Sequence, residues 1–218
     1  EGKLVAVDKH KGIVNWTFQD SQDRRKPSRS SAATDGKIVV FGNDNGYLYA
    51  VDVDNGKLLW KFKTGGSIVA TPSIYNQTVL FGSTDGYFYA LNISDGILKW
   101  KVNFTSPIYS SQAVADSFVY LGGSDCVCRC LNINTGELKW SFKAGSIISS
   151  APLVIKNFVL IGSLDKNLYV LDTKNGNLIW SYLLNGRIKS TPVLWNEYLY
   201  VLTDDHIVTA FVGDKDEK

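Results

Sequence analysis

Ala50-Val51-Asp52-Val53-Asp54-Asn55-Gly56-Lys57-Leu58-Leu59-Trp60 decides the reading of this chain, because its pattern occurs five times. The other copies are AVDKHKGIVNW (6–16), ALNISDGILKW (90–100), CLNINTGELKW (130–140) and VLDTKNGNLIW (170–180). Trp16, Trp60, Trp100, Trp140 and Trp180 therefore recur at intervals of 44, 40, 40 and 40 residues. Four residues before each stands Gly12, Gly56, Gly96, Gly136 or Gly176, and four before that an Asp or Asn. Self-similarity at a fixed period of about 40 is the mark of a repeat architecture, in which each unit buries its apolar face against the next.

Each period divides into four short apolar runs separated by turn residues. In one unit the runs cover 70–75, 78–82, 87–92 and 97–104, with Asn76-Gln77, Ser83 to Gly86 and Ser94-Asp95-Gly96 between them. Runs of about five β-branched and aromatic residues bounded by Gly, Asn, Asp and Ser read as strands joined in hairpins. No stretch holds a 3.6-residue apolar period, so almost no helix is expected. Apolar residues at consecutive positions, as in Leu48-Tyr49-Ala50-Val51, imply sheets covered on both faces. The expected fold is all-β: a β-propeller of four-stranded antiparallel blades. In it the glycines supply positive φ, the Asp or Asn bonds the loop amides, and each Trp wedges against the next blade.

Two strands precede the first complete unit, complete units occupy roughly 30–64, 70–104, 110–144 and 150–184, and three strands follow. The reading is a single domain over 1–212 with a charged, loose tail at 213–218. Two closures stand open: a five-bladed ring with a terminal blade split between the two ends, or part of a seven- or eight-bladed ring. The opening Glu1-Gly2-Lys3, without Met, favours an excerpted or processed chain.

The repeats resemble the tryptophan-docking motif A-x-D-x-x-x-G-x-x-x-W of the PQQ-like (quinoprotein-type) propeller family. The match is complete at Ala6-Asp8-Gly12-Trp16 and Ala50-Asp52-Gly56-Trp60; Asn92 and Asn132 replace the acid, and Cys130 and Val170 the alanine. That family includes quinone-dependent dehydrogenases, the outer-membrane β-barrel assembly lipoprotein, and propellers fused to acyl-adenylating enzymes, so the resemblance implies a fold and leaves the activity open. The dehydrogenase reading would require PQQ with a calcium site, a catalytic Asp and usually a vicinal Cys pair. Here the thiols are spaced Cys126-x-Cys128-x-Cys130, and no Glu–Asn–Asp set stands out from the turn residues. No catalytic, cofactor-binding or metal-binding residue is assigned. The expected role is a non-catalytic scaffold for a protein partner, with the dehydrogenase fragment and the acyl-adenylating propeller as alternatives.

Composition narrows the partners. Lys and Arg number 23 against 21 Asp and Glu, a net charge of +2, too balanced for a dedicated nucleic-acid binder. No apolar run approaches the roughly 20 residues of a membrane-spanning helix. Hydrophobic residues at 44% supply a core. Family habit favours an extracytoplasmic location, whereas three unpaired thiols, expected to share one face of a strand, lean towards a reducing one. The candidate partner surface is one blade face. Asn45, Asp85, Asp125, Asp165 and Asp205 occupy equivalent turns there, and a longer connection adds Arg24, Arg25, Lys26 and Arg29. These four cations would dock an acidic partner. Asn15, Asn76, Asn92 and Asn103 open glycosylation sequons, of which only Asn76 lies plainly in a turn.

Overall fold

The structure is a computed structural model describing residues 3–21 and 27–213. It resolves into two compact units, Glu1–Tyr109 and Ser110–Lys218. The described residues form 21 strands and no helix.

In the first unit, β1 (Leu4–Val7) and β2 (Val14–Phe18) form the two-stranded sheet I. Sheet II contains β3 (Ala33–Thr34), β4 (Ile38–Gly42), β5 (Tyr47–Asp52) and β6 (Leu58–Lys63). Sheet III contains β7 (Ser73–Tyr75), β8 (Thr78–Gly82), β9 (Tyr87–Asn92) and β10 (Leu98–Asn103). In the second unit, sheet IV contains β11 (Ala113–Ala115), β12 (Phe118–Gly122), β13 (Val127–Asn132) and β14 (Leu138–Lys143). Sheet V contains β15 (Leu153–Ile155), β16 (Phe158–Gly162), β17 (Asn167–Asp172) and β18 (Leu178–Leu183). Sheet VI has three strands, β19 (Val193–Trp195), β20 (Tyr198–Leu202) and β21 (Val208–Val212). Every sheet is an antiparallel meander in chain order. The first strand of each blade is shorter than the expected run: β7 begins at Ser73, leaving Ala70 to Pro72 in the connection.

Burial follows position in the blade. The middle strands are covered on both faces; all five residues of β8 are buried. In the first unit, β3 lies close to β7, and in the second β11 lies close to β15, so adjacent blades approach at their first strands. Between sheets II and III the core holds Val40, Leu48, Trp60, Ile68, Phe81 and Leu91. Phe62 meets Tyr89 edge-on at 5.7 Å in the same seam. Sheets IV and V share a second core around Cys128, Trp140, Ile148, Ile161 and Leu171.

A glycine closes the second strand of each of sheets II to V, and its lack of a side chain has a packing cause. A Cβ on Gly42 would lie 2.2 Å from Ile68 Cγ2, and one on Gly162 2.2 Å from Ile188 Cγ2. Both isoleucines belong to the connection leaving the blade and are fully buried. No side chain fits between the strand end and that connection.

Candidate functional site

The repeated residues converge on the seams. Trp16 Nε1 donates to the Val53 carbonyl (2.9 Å), Trp60 Nε1 to Ile93 (2.7 Å) and Trp140 Nε1 to Thr173 (2.8 Å). Each acceptor lies in the turn of the following blade, and the glycine of that turn lies under the indole. A Cβ on Gly56, Gly96 or Gly176 would come within 2.6 Å of Cε3 of Trp16, Trp60 or Trp140. Trp60 and Trp140 are 8% and 7% exposed. Burying an indole of about 200 Å² at about 25 cal/mol per Å² gives an upper bound of about 5 kcal/mol for each.

The rest of the pattern serves this contact. The residue at the alanine position pairs directly across the ladder with the Trp: Ala50 with Trp60, Ala90 with Trp100, Cys130 with Trp140 and Val170 with Trp180. A small side chain there leaves room for the ring. The register then slips by one residue before the Trp, a β-bulge repeated in each of these sheets. The acid position works through a single oxygen. Asp52 Oδ1 accepts from the amides of Asp54 (2.9 Å) and Asn55 (3.1 Å), and Asn132 Oδ1 from those of Asn134 (2.9 Å) and Thr135 (3.2 Å). An amide oxygen replaces a carboxylate oxygen in this role, which accounts for Asn92 and Asn132. Gly136 closes its turn by donating to the Asn132 carbonyl at 2.8 Å, as Gly12 does to Asp8. Trp100 lies 6.2 Å from Phe88 within its own sheet. Trp180 is 41% exposed, with its ring 6.3 Å from Phe211.

The turns expected to form an acidic face turn their carboxylates back onto the protein. Asp85 Oδ2 accepts from Tyr89 Oη (2.7 Å) and from the Gly65 amide of the preceding connection (2.8 Å). Asp165 Oδ2 accepts from Tyr169 Oη (2.5 Å), Asp125 pairs with Arg129, and Asp205 accepts from Thr203 Oγ1. Burial pushes the Asp125 carboxyl up, but the Arg129 hydrogen bond and charge outweigh it and hold the group below its ordinary range. Burial pushes Asp165 up as well, but hydrogen bonds from Tyr169, Asn167 and Ser163 together outweigh it and hold it low. Burial, reinforced by Asp85, raises the Tyr89 phenol in turn. Asn45 has no carboxylate; in its blade Asp20 takes that place, accepting from Tyr49 Oη (3.2 Å) and Lys61 (2.9 Å). At Asp85, Asp125 and Asp165 the expected acidic projection is thus an inward network, while Asp205 stays exposed.

Arg24, Arg25 and Lys26 lie outside the described residues. Arg29 is 65% exposed at its side chain, and its Nε lies 3.0 Å from both carboxylate oxygens of Asp44.

The thiols depart from the expected shared face. Cys126 occupies a turn at φ 68°, in the register of Gly46 and Gly86, and only Cys128 and Cys130 lie on β13. Burial pushes the Cys128 thiol up to about 12 and the Cys130 thiol up to about 11. Neither is a ready ligand or nucleophile at neutral pH. Among the described residues no three His, Cys, Asp or Glu side chains come together as a metal site. The carboxylates of the turns at Asp85, Asp125, Asp165 and Asp205 are engaged by Tyr89, Arg129, Tyr169 and Thr203. These four turns therefore do not offer a ready calcium site for PQQ.

Taken with its closest-packed seams, this arrangement is that of a β-propeller. Over 97% of the chain it is similar to the computationally designed Ika8 protein, with TM-score 0.85 at 20% identity, covering 65% of that protein. BamB from Moraxella catarrhalis is similar over all of the chain, with TM-score 0.61 at 21% identity and 78% of BamB covered. The family model described as outer membrane protein assembly factor BamB matches residues 1–67 and 124–216, and the chain belongs to this PQQ-like repeat family. A stretch of 76 residues is 37% identical to quinoprotein ethanol dehydrogenase of Pseudomonas aeruginosa, which is 35% of this chain and 12% of that enzyme.

Proposed function

We propose that the chain is a non-catalytic interaction scaffold of the PQQ-like repeat family that meets an acidic protein partner through the connection carrying Arg24, Arg25, Lys26 and Arg29. The observation that carries this is the setting of Arg29: Asp44 fixes its Nε, yet most of the side chain faces solvent. Three further cations stand within five residues of it in the sequence, and Asp20 at the start of the same connection is engaged by Tyr49 and Lys61. A run of cations of this kind in the sequence suits electrostatic steering of an acidic partner, with a strong dependence on salt. Trp16, Trp60 and Trp140, with the glycines they cover, support a scaffold, since they are spent on the seams. An extracytoplasmic setting is part of the same reading and rests on the family.

The test is the triple substitution Arg24→Glu, Arg25→Glu, Lys26→Glu, assayed against a synthetic Glu-rich peptide at low and high salt. The native chain should bind more tightly at low salt, and the variant should lose both the affinity and its salt slope. Equal binding by both chains would sink the proposal.

The match to a quinoprotein dehydrogenase supports a second reading, part of a quinone-dependent enzyme. Adding PQQ with calcium discriminates the two: a protein-bound chromophore favours the enzyme, its absence the scaffold.

A further inference from the structure

Overlaying the repeats shows one seam whose side chains change together. Between sheets II and III the positions bordering the outer seam are Val40, Ala50, Leu59, Asn76, Ile93 and Ser94. Forty residues per blade onward, between sheets IV and V, the same six positions are Tyr120, Cys130, Lys139, Lys156, Thr173 and Lys174. An uncharged set has become one with three cations. Ile93 is 2% exposed and fills its seam, whereas the shorter Thr173 leaves space.

That space is a cavity of about 380 Å³ lined by these six residues together with Asp116, Phe118 and Asn157. Its volume falls in the range of small-molecule sites, about 300–1,000 Å³. Lys139 is the bulged residue before Trp140, since Cys130 pairs with Trp140 and Leu131 with Leu138. Bulges re-aim side chains, and this one delivers an ammonium to the seam. Lys156 and Lys174 come from two turns of sheet V. Among the described residues neither has an ion-pair partner, while Lys139 pairs with Glu137 at 2.8 Å. Three ammonium groups border the cavity against the Asp116 carboxylate and the Glu137 that pairs with Lys139, which leaves a net positive charge. The back wall is apolar and aromatic: Phe118, and Tyr120 with its ring 5.8 Å from that of Trp140.

We propose that the seam between sheets IV and V binds a small organic anion, its carboxylate or phosphate head held by Lys139, Lys156 and Lys174 and its body against Phe118 and Tyr120. The site is built entirely within the second unit and is independent of the basic connection at Arg29.

Calorimetric titration of the full chain with phenyl phosphate and with benzoate, at constant ionic strength, tests this and distinguishes the head groups. At least one should give a saturable one-site isotherm. Lys156→Gln with Lys174→Gln, both in exposed turns, should weaken it at least tenfold. Thr173→Ile, which restores the residue found at Ile93, should abolish it and leave the Trp140 hydrogen bond to the backbone carbonyl in place. The proposal is overturned if neither probe saturates. It is equally overturned if binding survives both the double lysine substitution and Thr173→Ile in chains whose circular dichroism matches the native one.

Discussion

Gly96→Ala probes the seam directly. Gly96 sits at φ 71°, and an added Cβ would lie 2.6 Å from Trp60 Cε3. The left-handed backbone alone costs an alanine about 1–2 kcal/mol. Forcing the indole aside adds about 1–3 kcal/mol, the usual cost of overpacking a filled core. Gly36→Ala is the control within the same unit: it has φ 91° and nothing within 4 Å of its would-be Cβ. That φ is further from the left-handed minimum, so the control is biased against the claim. With a urea m-value of about 2 kcal/mol/M, an extra 2 kcal/mol lowers the unfolding midpoint by about 1 M relative to Gly36→Ala. Equal midpoints for the two variants would refute the reasoning, because backbone strain alone would then explain both.

Other perturbations follow from the same contacts. Trp140→Phe removes the 2.8 Å hydrogen bond to Thr173 as well as ring area, and should cost more than the 0.5–1.5 kcal/mol typical of one hydrogen bond, roughly, by urea unfolding. The Asp125 carboxyl is held low, so its stabilisation is complete above the unfolded-state pKa of about 3.9 and is lost as pH falls through the lower folded-state value. The destabilisation by Arg129→Leu should therefore be largest at neutral pH and shrink on acidification, as read from urea midpoints across that range. A thiol reagent at about pH 8 should label Cys126 in the native chain. Cys128 and Cys130, buried and raised to about 12 and 11, should react only on unfolding; rapid native labelling of all three would contradict their placement.

Much of the fold was legible in the sequence because its signal is repeated. Val and Leu between turn residues mark 78–82 as a strand, and β8 covers those residues. The pairing of the alanine position with each Trp needed the structure, since it depends on a bulge that strand-pattern reading does not register. Cys126 departs from the sequence pattern for a different reason: the Cys-x-Cys-x-Cys spacing suggests one strand face. The 40-residue register instead aligns Cys126 with Gly46 and Gly86, which is the signal that would have found the turn. Turn chemistry marks the Asp85 series, whereas its partners Tyr89, Arg129 and Tyr169 lie four residues on, and only the geometry shows them meeting. Lys139, Lys156 and Lys174 are about 17 residues apart in the sequence and form no motif. Their convergence comes from adjacent blades leaning together, which no linear pattern displays.

Hydrogen exchange of the indole N–H groups, resolved by nuclear magnetic resonance, tests most directly whether each of these blades docks its Trp on the next. Trp60 and Trp140, 8% and 7% exposed and bonded to Ile93 and Thr173, should exchange slowly, while Trp180 and Trp195, 41% and 67% exposed, should exchange fast. Uniformly fast exchange at all four would contradict the docked seam.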